Sequence, residues 1–379
     1  MSREAQFLVA TLRRFLVGGA PCERAAVDLD WPALLRLAQA HAVTPMLYSA
    51  LRDVPAPQEF AQQLRSSYET SALKSLTQSG ELTRLAEKFE EHRIAFVALK
   101  GPLLSQYLYG ALGARTSGDI DVLVKMEDVP RIRNILVSSG YRLSSALHWN
   151  SDSACVRSRE AEISFQSAAE VSIDVHWRLM PHYSASVFDH LSGWESLRPV
   201  LLAGHEIQTL APEPLLLFLC AHAAKHMFER LGWICDIARF LHVTPNLDWA
   251  RIIEQSRHAR SLRQLLLSLH LANDLLGAPI PNMDKDAEVA RLTHMVTDRL
   301  MAGATPPVPA LASNRYTLRL LETPAQRLRY LAGLYLTPSE AEYRALKLPP
   351  SLFFLYYPFR PLRLIWKYVR NSPASSDEN

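Results

Sequence analysis

Over residues 1 to about 92, apolar positions recur at spacings of three and four, the period of a helix with one buried face. Leu29-Asp30-Trp31-Pro32 reads as an N-cap followed by a helix start, with Trp31, Leu34, Leu35, Leu37 and Ala38 on one side. A second helical stretch, Glu81 to Glu91, carries Leu82, Leu85, Ala86 and Phe89. The pattern changes at Ile94. Ile94 to Leu99 is a short apolar run, Lys100-Gly101-Pro102 interrupts it, and a helical period resumes from Leu103 to Tyr109. This predicts strand, turn and helix, with proline in the first turn, where its missing N–H costs little.

Gly118 to Val124 alternates as a strand does. Asp128 to Ser139 is a predicted helix, closed by Gly140 and followed by Tyr141-Arg142-Leu143. After an irregular stretch, Ile163 to Phe165 and Val171 to Trp177 are two more predicted strands. Strands alternating with helices over roughly 94–180 predict an α/β unit. From Pro212 the helical period returns, over Leu215 to His242 with a break at Gly232, then over Trp249 to Leu276. Thr305-Pro306-Pro307-Val308-Pro309 reads as a linker or long loop. Beyond it lies a basic, aromatic tail, Leu352 to Val369, in which Pro358 and Pro361 argue against one continuous helix. The expected organisation is a helical region over 1–92, an α/β core over 93–210, a helical domain over 211–300, and a linker with basic tail over 301–379.

Composition narrows the classes. With 379 residues, 48% hydrophobic and 21% charged, the chain is globular rather than disordered and long enough for two to three domains. Cys22, Cys155, Cys220 and Cys235 are widely separated, so neither a disulfide framework nor a zinc ribbon is indicated. The longest apolar run, Leu215 to Ala224, stops at Lys225, short of a bilayer span. The first residues lack the uninterrupted apolar core of a signal peptide. The expectation is a cytoplasmic protein. The net charge of +3 hides an asymmetry: Ser313 to Arg370 holds ten Lys/Arg against three Asp/Glu, a local +7. That stretch is either a solvated basic face or a contact for membrane headgroups, nucleic acid or a phosphorylated substrate.

Candidate chemistry concentrates on three acids. Asp119 and Asp121, two apart on a predicted strand, project from one face while Ile120, Val122 and Val124 project from the other. Paired carboxylates repel unless something positive sits between them, and Mg²⁺ bound with substrate phosphates is the usual solution. Solvent-facing aspartates on an edge strand are the simpler reading of the pair alone. Asp174 changes the balance: with Ser172 and His176 it shares the polar face of Val171 to Trp177, within reach of the same centre if the strands are neighbours. Three acids are what a two-metal phosphoryl-transfer site uses. Upstream, Lys100-Gly101 stands at a helix N-terminus, where free N–H groups and the dipole favour a phosphate that glycine lets approach.

This constellation resembles the nucleotidyltransferase superfamily, and more closely an uncharacterised bacterial nucleotidyltransferase family. The resemblance is carried by Ala98-Leu99-Lys100-Gly101, by Arg115-Thr116-Ser117-Gly118-Asp119-Ile120-Asp121-Val122-Leu123-Val124, by Gly140-Tyr141 and by Ile173-Asp174-Val175-His176-Trp177. It extends to His222-Ala223-Ala224-Lys225-His226 and Trp233-Ile234-Cys235-Asp236-Ile237, and runs from about 35 to 275. It implies an α/β fold with a mixed sheet core and flanking all-helical regions. It further implies transfer of a nucleoside monophosphate from an NTP to a hydroxyl or phosphate acceptor, with Mg²⁺ or Mn²⁺. Asp119, Asp121 and Asp174 would be the catalytic and metal-binding acids. Lys100, Gly101, Arg115, Ser117, His222 and Lys225 would hold the nucleotide.

The superfamily commonly has Gly-Ser or Gly-Gly at the phosphate turn; Lys100-Gly101 replaces it here, so a charge stands where a hydroxyl is usual. The acceptor is a small molecule, a sugar, a peptide or an RNA. The rival readings are a toxin-type enzyme modifying tRNA and a catalytically silent nucleotide-binding scaffold. His222 and His226, at i, i+4, read as cleft residues, as packed histidines hydrogen-bonded to Asp236, or, with further ligands, as a zinc site. The aromatic and cationic tail also suggests contact with a membrane surface.

Overall fold

The computed structural model describes residues 2–18, 29–144, 161–179, 194, 196–302 and 308–371. The chain opens with α1 (Arg3–Leu16), α2 (Trp31–Ala40), α3 (Thr44–Leu51) and α4 (Gln58–Glu91). Asp30 caps α2 as its sequence predicts, its Oδ1 accepting the Ala33 N–H at 2.9 Å with Pro32 in the first turn. Helix α4 is far longer than the predicted Glu81–Glu91. Its first part is polar on most sides, so its period is faint, yet no glycine or proline interrupts it from Gln58 to Ser79.

The α/β unit follows: β1 (Phe96–Ala98), α5 (Pro102–Tyr109), β2 (Ile120–Val124), α6 (Val129–Ser138), β3 (Arg142–Leu143), β4 (Glu162–Gln166) and β5 (Ser172–His176). These strands form one mixed sheet in the order β1-β2-β5-β4-β3, with β2 and β5 parallel and the other pairs antiparallel. A separate hairpin, β6 (Leu197–Leu202) and β7 (His205–Leu210), is absent from the sequence expectation. Its turn is Ala203-Gly204, with φ of +49° and +87°. Alanine replaces the Asn or Asp that usually announces such a turn, and Pro199 sits within β6.

The rest is helical: α7 (Pro212–Lys225), α8 (Leu231–Val243), α9 (Trp249–His258), α10 (Leu262–Leu276), α11 (Ala287–Met301), α12 (Ala310–Leu320), α13 (Pro324–Tyr335), α14 (Glu340–Ala345) and α15 (Tyr356–Asn371). Two expectations need correction. The break between α7 and α8 falls at 226–230, where Met227 and Phe228 take φ of +56° and +52°. Gly232 instead lies in the first turn of α8: its N–H donates to His41 O at 3.0 Å, and a Cβ would come within 3.1 Å of that oxygen. From Tyr356 to Asn371 the tail is one α-helix despite its prolines, after a 3-10 segment over Pro350–Leu355. Pro358 falls in the first turn, where no intrahelical donor is lost, and Pro361 forfeits a single bond. Cys220 and Cys235 are free and buried; Cys22, Cys155 and Thr305-Pro306-Pro307 lie outside the described residues. Among the described residues no helix is long and apolar enough to cross a membrane.

The two faces of the sheet meet different surroundings. Ile120, Val122, Val124, Ile173 and Val175 pack with Leu82, Leu85 and Phe89 of α4 and Ile132 and Leu136 of α6. Val97, Leu99 and Leu123 belong to the larger apolar cluster shared by α1–α3, α7, α8 and α10. Alternation along β2 therefore turns Asp121 toward the helical body, on the same side as Leu123. The acids lie between sheet and helices.

Candidate active site

The site is built outward from the end of β1. Leu99 N–H donates to Asp121 O at 3.0 Å, which ties the turn to β2. Gly101 follows Lys100 and takes φ +73°, ψ −148°, as the residue before α5. A Cβ on Gly101 would lie 3.2 Å from Asp119 O. Both the left-handed φ and this approach require glycine.

Asp121 and Asp174 are register partners on the parallel strands β2 and β5, so their side chains stand next to each other on one face. Asp119 immediately precedes β2. Burial and the charges of Asp121 and Asp174 push its carboxyl up to about 6, against the opposing charge of Lys100. Asp174 is also raised, by burial and by Asp121 and Glu162, although a hydrogen bond from Ser164 works the other way. Asp121 differs. It is 3% exposed, and burial alone would raise its carboxyl, yet Lys100 and His176 hold it well below the usual range. Lys100 Nζ and His176 Nε2 approach the same oxygen, Oδ1, at 3.1 and 3.0 Å. Asp121 Oδ2 is buried without a hydrogen-bond partner.

His176 is a bridge that its sequence position alone did not disclose. Nε2 faces Asp121, and Nδ1 faces Glu162 Oε2 at 3.1 Å, from β4. Burial opposes its charge, but these two carboxylates raise its pKa, so an imidazolium donating from both nitrogens suits the geometry. Glu162 was not among the expected residues. The signal for it was the strand period, since Glu162 pairs with His176 and Ser164 with Asp174 across β4 and β5.

Arg115, Ser117 and the histidines come from three other segments. Arg115 is buried, and its guanidinium is engaged on two sides. Nε and Nη2 donate to Asp236 of α8, with Nη2–Oδ2 at 3.0 Å, and Nη1 donates to Gly101 O at 3.1 Å. Tyr109 OH also donates to Asp236, at 3.1 Å. Asp236 thus pairs with Arg115 rather than with His222 and His226, and Arg115 braces the Gly101 turn against the helical body. Ser117 Oγ donates to Asp119 O at 3.0 Å, within the loop leading to β2.

His222 Nε2 accepts from Lys100 Nζ at 3.4 Å. Burial, with Lys100 and His226 adding to it, pushes His222 well below the ordinary histidine value, and a neutral ring is the acceptor this contact needs. His226 is lowered to about 4 by burial and by Lys225, Lys100 and Arg230. The two rings lie 4.8 Å apart and both pack on Trp233, at 5.5 and 5.3 Å. Lys225 is exposed at the end of α7. A small crevice beside this cluster is lined by Arg115, Thr116, Arg230, Trp233 and Asp236. Among the described residues, no three His, Cys, Asp or Glu side chains are gathered to hold a metal ion by themselves.

The chain belongs to the family described as uncharacterised nucleotidyltransferase, whose profile matches residues 28–277, from just before α2 to the glycine that ends α10. Among solved structures it is similar to an antigenic nucleotidyltransferase-like protein from Paracoccidioides brasiliensis. That similarity is 13% identity over 54% of this chain and 94% of the other, with a TM-score of 0.36. No curated protein matches it. The family assigns the coarse class, a nucleotidyltransferase.

Proposed function

We propose that the protein transfers a nucleoside monophosphate from an NTP to a hydroxyl or phosphate acceptor with Mg²⁺ or Mn²⁺, releasing pyrophosphate. The observation that carries this reading is the register pairing of Asp121 with Asp174, with Asp119 on the same cluster and Gly101 so near that a Cβ there would lie 3.2 Å from Asp119 O. The carboxylates fit a divalent cation. Asp121 Oδ2 has no partner, and Asp119 is raised by its acidic neighbours, so an added positive charge would relieve both. Mg²⁺ commonly takes only one or two protein carboxylates, with phosphates and water supplying its other ligands. Asp119 and Asp121 would hold it, and when bound it would neutralise charge on the triphosphate.

The remaining work belongs to the chain. The Gly101 turn and the N-terminus of α5 receive phosphate oxygens. Lys100, held between Asp121 and His222, swings its ammonium onto the triphosphate as the nucleotide enters. Asp174, the acid with the raised pKa away from the Lys100 pair, accepts the acceptor's proton. The acceptor oxygen bonds to the α-phosphorus as the bond to the bridging oxygen breaks, and pyrophosphate leaves with that electron pair. Arg115 acts on the turn through Gly101 O.

One observation favours a second reading, a nucleotide-binding scaffold without turnover: Lys100 and His176 already neutralise Asp121. The experiment that separates the two is label transfer from each α-labelled NTP, with Mg²⁺ or Mn²⁺, into small-molecule, protein and RNA fractions. Asp119→Ala/Asp121→Ala runs beside the wild type. Labelling by the wild type alone supports the transferase and identifies base and acceptor class, RNA included. NTP binding that persists in EDTA with no labelled product would replace it with the scaffold.

A further inference from the structure

In helix α15, Arg360 and Arg363 face the protein while Leu362, Ile365 and Trp366 face away. Arg360 is buried against Glu342 of α14, with Nη1–Oε2 at 2.6 Å, and its other donors reach Leu334 O and Ser339 Oγ. Arg363 Nε meets the second oxygen of the same carboxylate. Burial would raise the Glu342 carboxyl, but hydrogen bonds from Ser339 and Arg363 and the charge of Arg360 hold it below the usual range. Phe353 and Tyr356 are buried beside this clamp. On the opposite side, Leu362, Ile365 and Trp366, at i, i+3 and i+4, are 65%, 60% and 61% exposed, and Phe354 and Tyr357 are exposed just before them.

A surface helix of a water-soluble domain normally has the reverse arrangement, apolar stripe inward and charge outward. From 343 to 376 the sequence contains no acidic residue; Arg360 and Arg363 are committed to Glu342, and Arg344, Lys347, Lys367 and Arg370 give the segment its net positive charge. An exposed stripe with tryptophan, set in an acid-free basic segment, matches an interfacial helix on negatively charged headgroups.

We infer that α15 docks the protein on an anionic lipid surface through Leu362, Ile365 and Trp366, with the Glu342 clamp fixing the helix so that this face stays outward. The family match ends at 277, so the surface lies outside the segment that holds the acids.

The test is co-sedimentation of the full chain with vesicles of phosphatidylcholine alone and of phosphatidylcholine mixed with phosphatidylglycerol. Leu362→Asp/Ile365→Asp is the variant. Leu73→Asp/Leu76→Asp, which alters an exposed apolar pair on α4, is the control for general hydrophobicity, and circular dichroism checks that each is folded. The expected result is binding to the mixed vesicles about tenfold above the neutral ones, loss of about tenfold in the α15 variant, an unchanged α4 variant, and weakening by salt. Equal sedimentation of wild type and α15 variant with the mixed vesicles would overturn the inference. So would a wild-type dimer in lipid-free solution that the α15 variant dissolves, since a second copy would then be the occupant.

Discussion

The acid face of the sheet and the C-terminal helix both bury charge, with opposite results. Around Asp121 the charges come from β2, β5, the turn after β1 and α7, and they remain uneven. Asp121 is held ionised by Lys100 and His176, while Asp119 and Asp174 are pushed toward protonation. Around Glu342 one carboxylate meets two guanidiniums, and all three groups are satisfied. The first arrangement keeps unspent electrostatic stress that an incoming cation and triphosphate can relieve. The second holds a helix in place. Carboxylates left crowded together suit a site that acts on a ligand, and a carboxylate saturated by two guanidiniums makes a joint.

The largest expected effect breaks the imbalanced side. Asp121→Asn should lower label transfer by about a thousandfold or more, because it removes an oxygen that would hold the metal in the proposed reaction and the partner of Lys100 and His176. An unchanged rate would remove Asp121 from the mechanism. Next is the brace behind the phosphate turn. Arg115→Leu strands a buried Asp236 and should cost about 3–5 kcal/mol in urea unfolding, and Arg115→Leu/Asp236→Leu should cost less than the sum of the two single changes.

On the balanced side, Glu342→Gln should cost about 2 kcal/mol and speed amide exchange along α15 while leaving label transfer intact. The same clamp has a pH signature. Because the folded carboxyl lies below its unfolded value, its stabilisation is complete above about pH 4.5 and is lost as pH falls through the folded value. Protection factors in α15 should fall over that acid window in the wild type and stay flat in Glu342→Gln.

The smallest expected effect has the opposite sign. The Asp119 carboxyl is raised to about 6, so its ionisation opposes folding as pH climbs from about 4 to 6. At pH 7 Asp119→Asn should therefore gain about 1 kcal/mol, a rise in Tm of about 2–4 °C, even as it loses label transfer. A Tm below wild type at pH 7 would show that Asp119 carries no such stress.

Much of the sheet could be read from residue order because its signals are local. The change of period at Ile94, the alternation in Gly118 to Val124 and Val171 to Trp177, and the Lys-Gly-Pro interruption each occupy a few consecutive residues. The β6–β7 hairpin was not legible, since Ala203 adopts a left-handed φ that only the packed hairpin enforces. Gly232 illustrates the opposite error: a glycine read as a break is needed for contact with His41, far away in sequence. Glu162, and Asp236 as the partner of a loop-organising Arg115 salt bridge, escaped notice for the same reason, because each partner lies on a different element.

By itself the sequence determined which residues could share a face: Asp119 with Asp121, and Ser172 with Asp174 and His176. Period is a property of a single strand or helix, and neighbouring residues state it directly. Only the tertiary structure decided which faces meet. It set Asp121 beside Asp174 through a parallel register, closed Lys100 onto Asp121 and His222, committed Arg115 to Asp236, and turned Arg360 and Arg363 of α15 onto Glu342 while Leu362, Ile365 and Trp366 stay exposed. Those outcomes depend on burial and pair electrostatics between segments tens of residues apart, which no local spacing encodes.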